Sequence, residues 1–209
     1  MKKFYAWQIF AVIAGLMLIS ACSSISKFTQ TLTNLQRLQF KLQNVNGFTL
    51  AGVNLNNKKS INDFSVMDGI KLTQAFSSKS LPSRFILNVE AKNPNDGKGG
   101  SKQTSATLTS FDWQLYIDDV PTLKGNINKA IEIPGTGQST IIPVAIDIDL
   151  YKFFKDKGYD GLINLALAIG GVNGSAARLK LDAKPTVQTN FGPIEYPGRI
   201  TVVDKKFTN

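Results

Sequence analysis

Three stretches of this chain are apolar at every second residue, and no other feature restricts the possible folds so strongly. Phe85, Leu87, Val89 and Ala91 alternate with Asn88, Glu90 and Lys92, with Ile86 as the one exception. Phe111, Trp113, Leu115 and Ile117 alternate with Asp112, Gln114, Tyr116 and Asp118. Ile142, Val144, Ile146, Ile148 and Leu150 enclose an outward pair, Asp147 and Asp149. A period of two puts all the apolar side chains on one side of a pleat, so each stretch reads as a strand with one buried face and one wet face. The first strand must stop at Asn93-Pro94-Asn95, which runs into Asp96-Gly97. Pro94 brings no N–H to a ladder, and Asn, Asp and Gly all accept turn geometry.

Weaker signals fill in the rest. Leu38, Phe40 and Leu42, then Phe48, Leu50, Val53 and Leu55 beyond Asn44 to Gly47, read as a strand, a kink and a second strand. Ser65-Val66-Met67-Asp68 has the form of a capping box, which predicts a helix from Val66 to Phe76 that turns Met67, Ile70 and Phe76 toward the core. Gly99-Gly100-Ser101 reads as a mobile tip. Asp118-Asp119, with Pro121 close behind, predicts a hairpin whose return is Ile127 to Ile133, and Gly135-Thr136-Gly137 a second tight connection. From Tyr151 to Ile169 the period changes to a helical one, broken at Gly158. Ala177 to Val187 and Ile194 to Val203 close the chain as two strands around a Gly192-Pro193 turn. Many short alternating strands and one or two short helices predict a mainly β protein, an antiparallel β-sandwich of immunoglobulin-like or fibronectin-like type.

The N-terminus reads as a processing segment. Lys2 and Lys3 precede an apolar run from Phe4 to Ile19, which is short for a stable membrane span. Ile19-Ser20-Ala21-Cys22 then resembles the lipobox of bacterial lipoproteins, with Cys22 the only cysteine of the chain. The resemblance implies cleavage between Ala21 and Cys22 and acylation of Cys22, hence a membrane partner through an N-terminal lipid anchor. The domains expected are a signal peptide over 1–21, a polar tether over 22–34 and a β-sandwich domain over 35–209. Ser23 and Ser24 follow the cysteine with no acidic residue, which points to the outer membrane, facing the periplasm. Loss of residues 1–21 removes two of the 24 basic residues and no acidic one, so a net charge of +9 becomes +7. That charge is dispersed, with no basic run or Arg-rich helix, and nucleic acid is not expected as a partner.

The residue inventory excludes much chemistry. The chain has no histidine, which removes Ser-His-Asp and Cys-His catalysis and histidine-based zinc sites. It carries no nucleophile-elbow, phosphate-loop or dinucleotide motif, so no catalytic residue and no cofactor are expected. Asp147 with Asp149, and Asp118 with Asp119, are the pairs that could hold calcium or act as acid and base. No third oxygen ligand is spaced as in a calcium loop, and the pairs read as outward charges on strands and turns, so no metal is expected. Trp113 and Phe111 alternate strictly with polar residues and are core before they are a ligand platform.

Four features occur in one order: a strand ending in Asn93-Pro94-Asn95, the strand Phe111 to Ile117 leading into a turn with Val120-Pro121, a Gly-rich turn before Thr140 to Ile146, and the late Gly192-Pro193 turn. Together they resemble the late embryogenesis abundant type 2 family, also described as the WHy domain, over about Leu35 to Val203. The segment Lys98 to Ser105 is longer than the family pattern. The resemblance implies a folded, non-enzymatic protein linked with desiccation and stress tolerance, in which Asn93, Pro94 and Asn95 form a structural turn. Two functional readings follow: an envelope lipoprotein acting as a binding or protective module, and a carrier or sensor of a lipid or other apolar ligand with Tyr151 to Ile169 as its lid. A protein partner is also open.

Overall fold

The structure is a computed structural model and describes residues 26–56, 58–98, 102–170 and 177–207, the side chains of 177–178 and 203–207 excepted. The 1–21 segment, Cys22 and Gly99-Gly100-Ser101 lie outside the described residues.

Two antiparallel sheets pack face to face. One has the order β2(Val53–Asn54), β1(Gln39–Leu50), β3(Pro82–Lys92), β7(Ser139–Asp149). The other has β10(Ile200–Phe207), β8(Ala177–Thr189), β4(Ala106–Ile117), β5(Val120–Gly125), with β6(Ile131–Ile133) pairing on β4 and β9(Gly192–Glu195) on β8. The alternating stretches are the central strands. Leu87, Val89, Phe111, Leu115, Ile142 and Leu181 meet between the sheets, almost fully buried. A mainly β antiparallel sandwich with a few short helices is therefore the fold, as the period-two pattern requires.

The registers show where local reading was incomplete. The kink expected at Asn44 to Gly47 is a pair of bulges inside one continuous strand, between Leu42 and Asn44 and between Asn46 and Thr49. The hairpin turn at Asp118-Asp119, with φ of 50° and 63°, returns at once as β5, Ile117 facing Val120, rather than at Ile127 to Ile133. Pro121 fits there because β5 is an edge strand. Only Ile131–Ile133 of the expected return is a strand, and it pairs with the start of β4. In the last hairpin the turn falls at Asn190-Phe191, so Gly192 and Pro193 already belong to the return, β9.

Helices occupy both ends of the sandwich. Residues 26–36 form helix α1, so residues 26–34, expected as the distal part of a polar tether, are helical. Their Thr31 and Thr33 hydroxyls fold back onto the carbonyls of Lys27 and Thr29, and Leu35 enters the core. α2(Val66–Ser77) starts at the expected box: Asp68 N–H donates to Ser65 Oγ at 3.1 Å and Ser65 N–H to Asp68 Oδ2 at 3.0 Å. Its buried side differs from the expected one. Leu72 is inside and Phe76 half-buried, whereas Met67 and Ile70 are 61% and 54% exposed. Phe76 meets Tyr151 and Tyr159 edge-on, both at 5.4 Å, and this cluster fixes the rotation of the helix. The Tyr151 to Ile169 region divides at Gly158 (φ 69°) into α3(Leu150–Phe154), a 3-10 turn, and α4(Gly158–Ile169). The apolar residues of α4, Leu162 through Ile169 apart from Asn164, are buried in the core.

Candidate functional site

The β3–β7 register, Pro82 opposite Asp149 and Lys92 opposite Ser139, defines two ends of the molecule. The acidic pairs raised by the sequence are divided among structural contacts. Asp147 pairs with Arg84 at 2.8 Å on the exposed face of the sheet. Asp149 was expected to point outward beside it, but it is half-buried and accepts from Ser80 Oγ (3.0 Å), Leu81 N–H (2.8 Å) and Tyr151 N–H (3.1 Å). It thereby caps α3 and ties β7 to the entry of β3. Asp118 lies 2.9 Å from Lys157, which holds the β4–β5 turn to the helical end. Among the described residues no group of three or more His, Cys, Asp or Glu is placed to hold a metal ion.

At the opposite end, Asn93-Pro94-Asn95 is more than the end of a strand. Asn93 is fully buried. Its Nδ2 donates to the carbonyls of Thr104 (2.8 Å) and Ile133 (3.2 Å), while its Oδ1 accepts from the Asn95 N–H (3.1 Å) and from Asn95 Nδ2 (2.9 Å). Asn95 Nδ2 also donates to Asn34 O in α1 at 2.9 Å, and Thr104 N–H to Asn95 O at 3.1 Å. One pair of side-chain amides thus joins the exit of β3, the approach to β4, the end of β6 and the C-terminal turn of α1. Gly135 completes the junction, because a Cβ there would lie 2.5 Å from Thr104 O and 2.7 Å from Asn95 O. The end of α1 is fastened a second time by Tyr196, whose hydroxyl donates to Leu35 O. Burial pushes that phenol up to about 12.

Between α1, the start of β4 and the end of β8 the junction leaves a cleft of about 310 Å³. Asn93 and Asn95 form part of its wall with Asn34 and Leu35, and Thr107 and Gln188 come from the two strands. The sequence singled out Asn93 and Asn95, but not the cleft. Its other walls are α1, whose Asn34 is 61 positions from Asn95, and the β4–β8 pair, in which Thr107 stands opposite Gln188.

No family model and no curated protein matches the chain. Among solved structures, a protein from Archaeoglobus fulgidus is similar with a TM-score of 0.37 and 10% identity, over 61% of this chain and 86% of that one. The Arabidopsis thaliana protein AT1g01470 is similar with a TM-score of 0.34 and 14% identity, over 63% of this chain and 74% of that one. A solution structure described as a late embryogenesis abundant protein, At2g46140.1, is similar with a TM-score of 0.35 and 16% identity, over 93% of this chain and 88% of that one. Each is a likeness at low identity and low TM-score.

Proposed function

We propose that this chain is an envelope lipoprotein of the late embryogenesis abundant type 2 kind, a non-enzymatic binding or protective module linked with desiccation and stress tolerance. It is anchored through acylated Cys22 to the outer membrane and faces the periplasm. The observation that carries the reading is the position of the only cysteine, at the end of a lipobox-like Ile19-Ser20-Ala21-Cys22 and four residues before Ser26, the first described residue of α1. Four residues span at most about 14 Å of extended chain, so lipid at Cys22 holds the α1 end of the sandwich close to the membrane surface. Three acyl chains make such an anchor stable where one is marginal. The non-enzymatic half is supported by the carboxylates, since the best acid–base candidates serve as a helix cap and as ion-pair partners. For the carrier reading, the apolar residues of α4 are buried in the core, which leaves Phe153, 40% exposed, as the outward aromatic of the expected lid.

The test is metabolic labelling with an alkyne-tagged fatty acid, followed by membrane fractionation. The wild-type chain is expected to take up label and to sediment with the outer membrane, and Cys22→Ala to do neither. Undiminished labelling of Cys22→Ala refutes the anchor. Survival of a deletion strain after drying, complemented by wild type or Cys22→Ala, tests the protective role.

A further inference from the structure

The cleft beside the Asn93–Asn95 junction is lined by neutral groups. The chain carries 24 basic and 15 acidic residues, yet among the described residues no charged one lines this cleft. Its walls are hydroxyls and carboxamides, among them Thr107, Gln188 and Asn34, over a small apolar floor of Leu35 and Val187. One lining group has an unmet hydrogen bond. Asn95 is 3% exposed, and both hydrogens of its amide are engaged, by Asn34 O and Asn93 Oδ1, while its Oδ1 has no hydrogen-bond partner. A buried acceptor left this way is costly, and a donor that reached it, water included, would relieve that cost.

These features select a ligand class by elimination. A charged ligand would lose water and find no counter-charge. An apolar one would strand the hydroxyls and amides of the walls. A neutral molecule dense in hydroxyls both donates to and accepts from the Thr, Asn and Gln side chains of the walls, and lays its C–H surface on Leu35 and Val187. The volume of about 310 Å³ is at the small end of ligand pockets and has room for about ten waters. We infer that the cleft is a binding site for a small neutral polyhydroxyl group, of the size of a monosaccharide or a short polyol. It deepens the binding-module reading and is independent of the lipid anchor.

Such hydroxyls come either free in solution or on the headgroup of a neutral glycolipid, and the α1 end carries the site in both cases. The experiment is hydrogen exchange followed by mass spectrometry on the full chain, in a detergent without a sugar headgroup. One arm adds glucose or sorbitol, and the other adds phosphatidylethanolamine vesicles with or without monoglucosyl diacylglycerol. At about ten times Kd, exchange limited by opening slows up to about elevenfold. The slowing is expected in segments 31–36, 93–98, 104–108 and 186–190, saturably, and to vanish in the Thr107→Val, Gln188→Leu double variant. Slowing by soluble sugar assigns the free source, and slowing only by the glucosyl vesicles assigns the lipid. Polyols also stabilise proteins generally by exclusion from their surface. Slowing that is uniform over the molecule, grows without saturating or survives in the double variant therefore overturns the site. The membrane fraction in which Cys22 is found is unaffected by that outcome, so a failure of the cleft and a failure of the anchor are read separately.

Discussion

Asn93→Ala separates a buried junction from an ordinary strand-ending turn. Were Asn93 a local cap, its loss would cost about 1 kcal/mol. In the structure the truncation strips hydrogen bonds from Thr104 O, Ile133 O, the Asn95 N–H and Asn95 Nδ2 at once. Thr104 is exposed and water can replace one of these bonds, and Asn95 Nδ2 keeps its bond to Asn34 O. Ile133 O and the Asn95 N–H have no such recourse, since both their bonds with Asn93 are buried. An unmet buried backbone group costs about 1–3 kcal/mol, so the expected loss is about 3 kcal/mol, out of a total stability of about 5–15 kcal/mol. For a domain of this size that lowers Tm by about 6–12 °C. The assay is urea unfolding followed by circular dichroism, in which the midpoint falls while the slope is kept. Asn93→Asp sharpens the test, because its carboxylate would face the carbonyls of Thr104 and Ile133, which now accept from Nδ2. Its pKa in the fold would then be raised, so this variant is less unstable below about pH 4 and loses stability as pH rises. A loss under 1 kcal/mol in Asn93→Ala, or an Asp variant as stable as wild type at neutral pH, refutes the junction.

Trp113 is 7% exposed and its ring packs on Gly125, where a Cβ would sit 2.4 Å from Cζ2. In a chain that begins at Cys22, as the proposed processing would leave it, Trp113 is the one tryptophan, and its emission is expected to be blue-shifted and poorly quenched by acrylamide, and Gly125→Ala to cost about 1–3 kcal/mol by overpacking; free-indole-like emission refutes the register of β4. The Tyr196 phenol is raised to about 12, so its share of stability is present below about pH 10 and lost as pH rises toward 12. Melting curves against pH should therefore decline more steeply above pH 10 in wild type than in Tyr196→Phe, and equal slopes refute the buried phenol. Ser65→Ala should cost about 1 kcal/mol by uncapping α2. The carboxyls of Asp68 and Asp63, held low by backbone N–H donors, and of Glu90, held low by the Ser139 hydroxyl, add stability present above about pH 4 that is lost as pH falls through their folded values. An acid midpoint unmoved by Asp68→Asn would show that the cap is not formed.

What the sequence determined by itself is whatever depends on neighbours along the chain. Period two in Phe85–Ala91, Phe111–Ile117 and Ile142–Ile148 set the strands and their buried faces, because a pleat has no other way to sort those side chains. The Ser65–Asp68 box set the start of α2 within one residue, because both partners lie within a single turn. Gly158 set the break between α3 and α4. What needed the tertiary structure is whatever depends on a partner far away in sequence. Met67 and Ile70 suit a buried helix face as well as Leu72 and Phe76 do, and the rings of Tyr151 and Tyr159 decide between them. The return of the Asp118-Asp119 hairpin moved forward to Val120 because an edge strand tolerates Pro121, a property of sheet order that no local pattern carries. Asn93 and Asn95 were legible as a turn. Their role as the junction of β3, β4, β6 and α1, and the neutral cleft beside it, were not. Each of those contacts closes a long loop, and the sequence does not encode which distant carbonyl a buried amide will find.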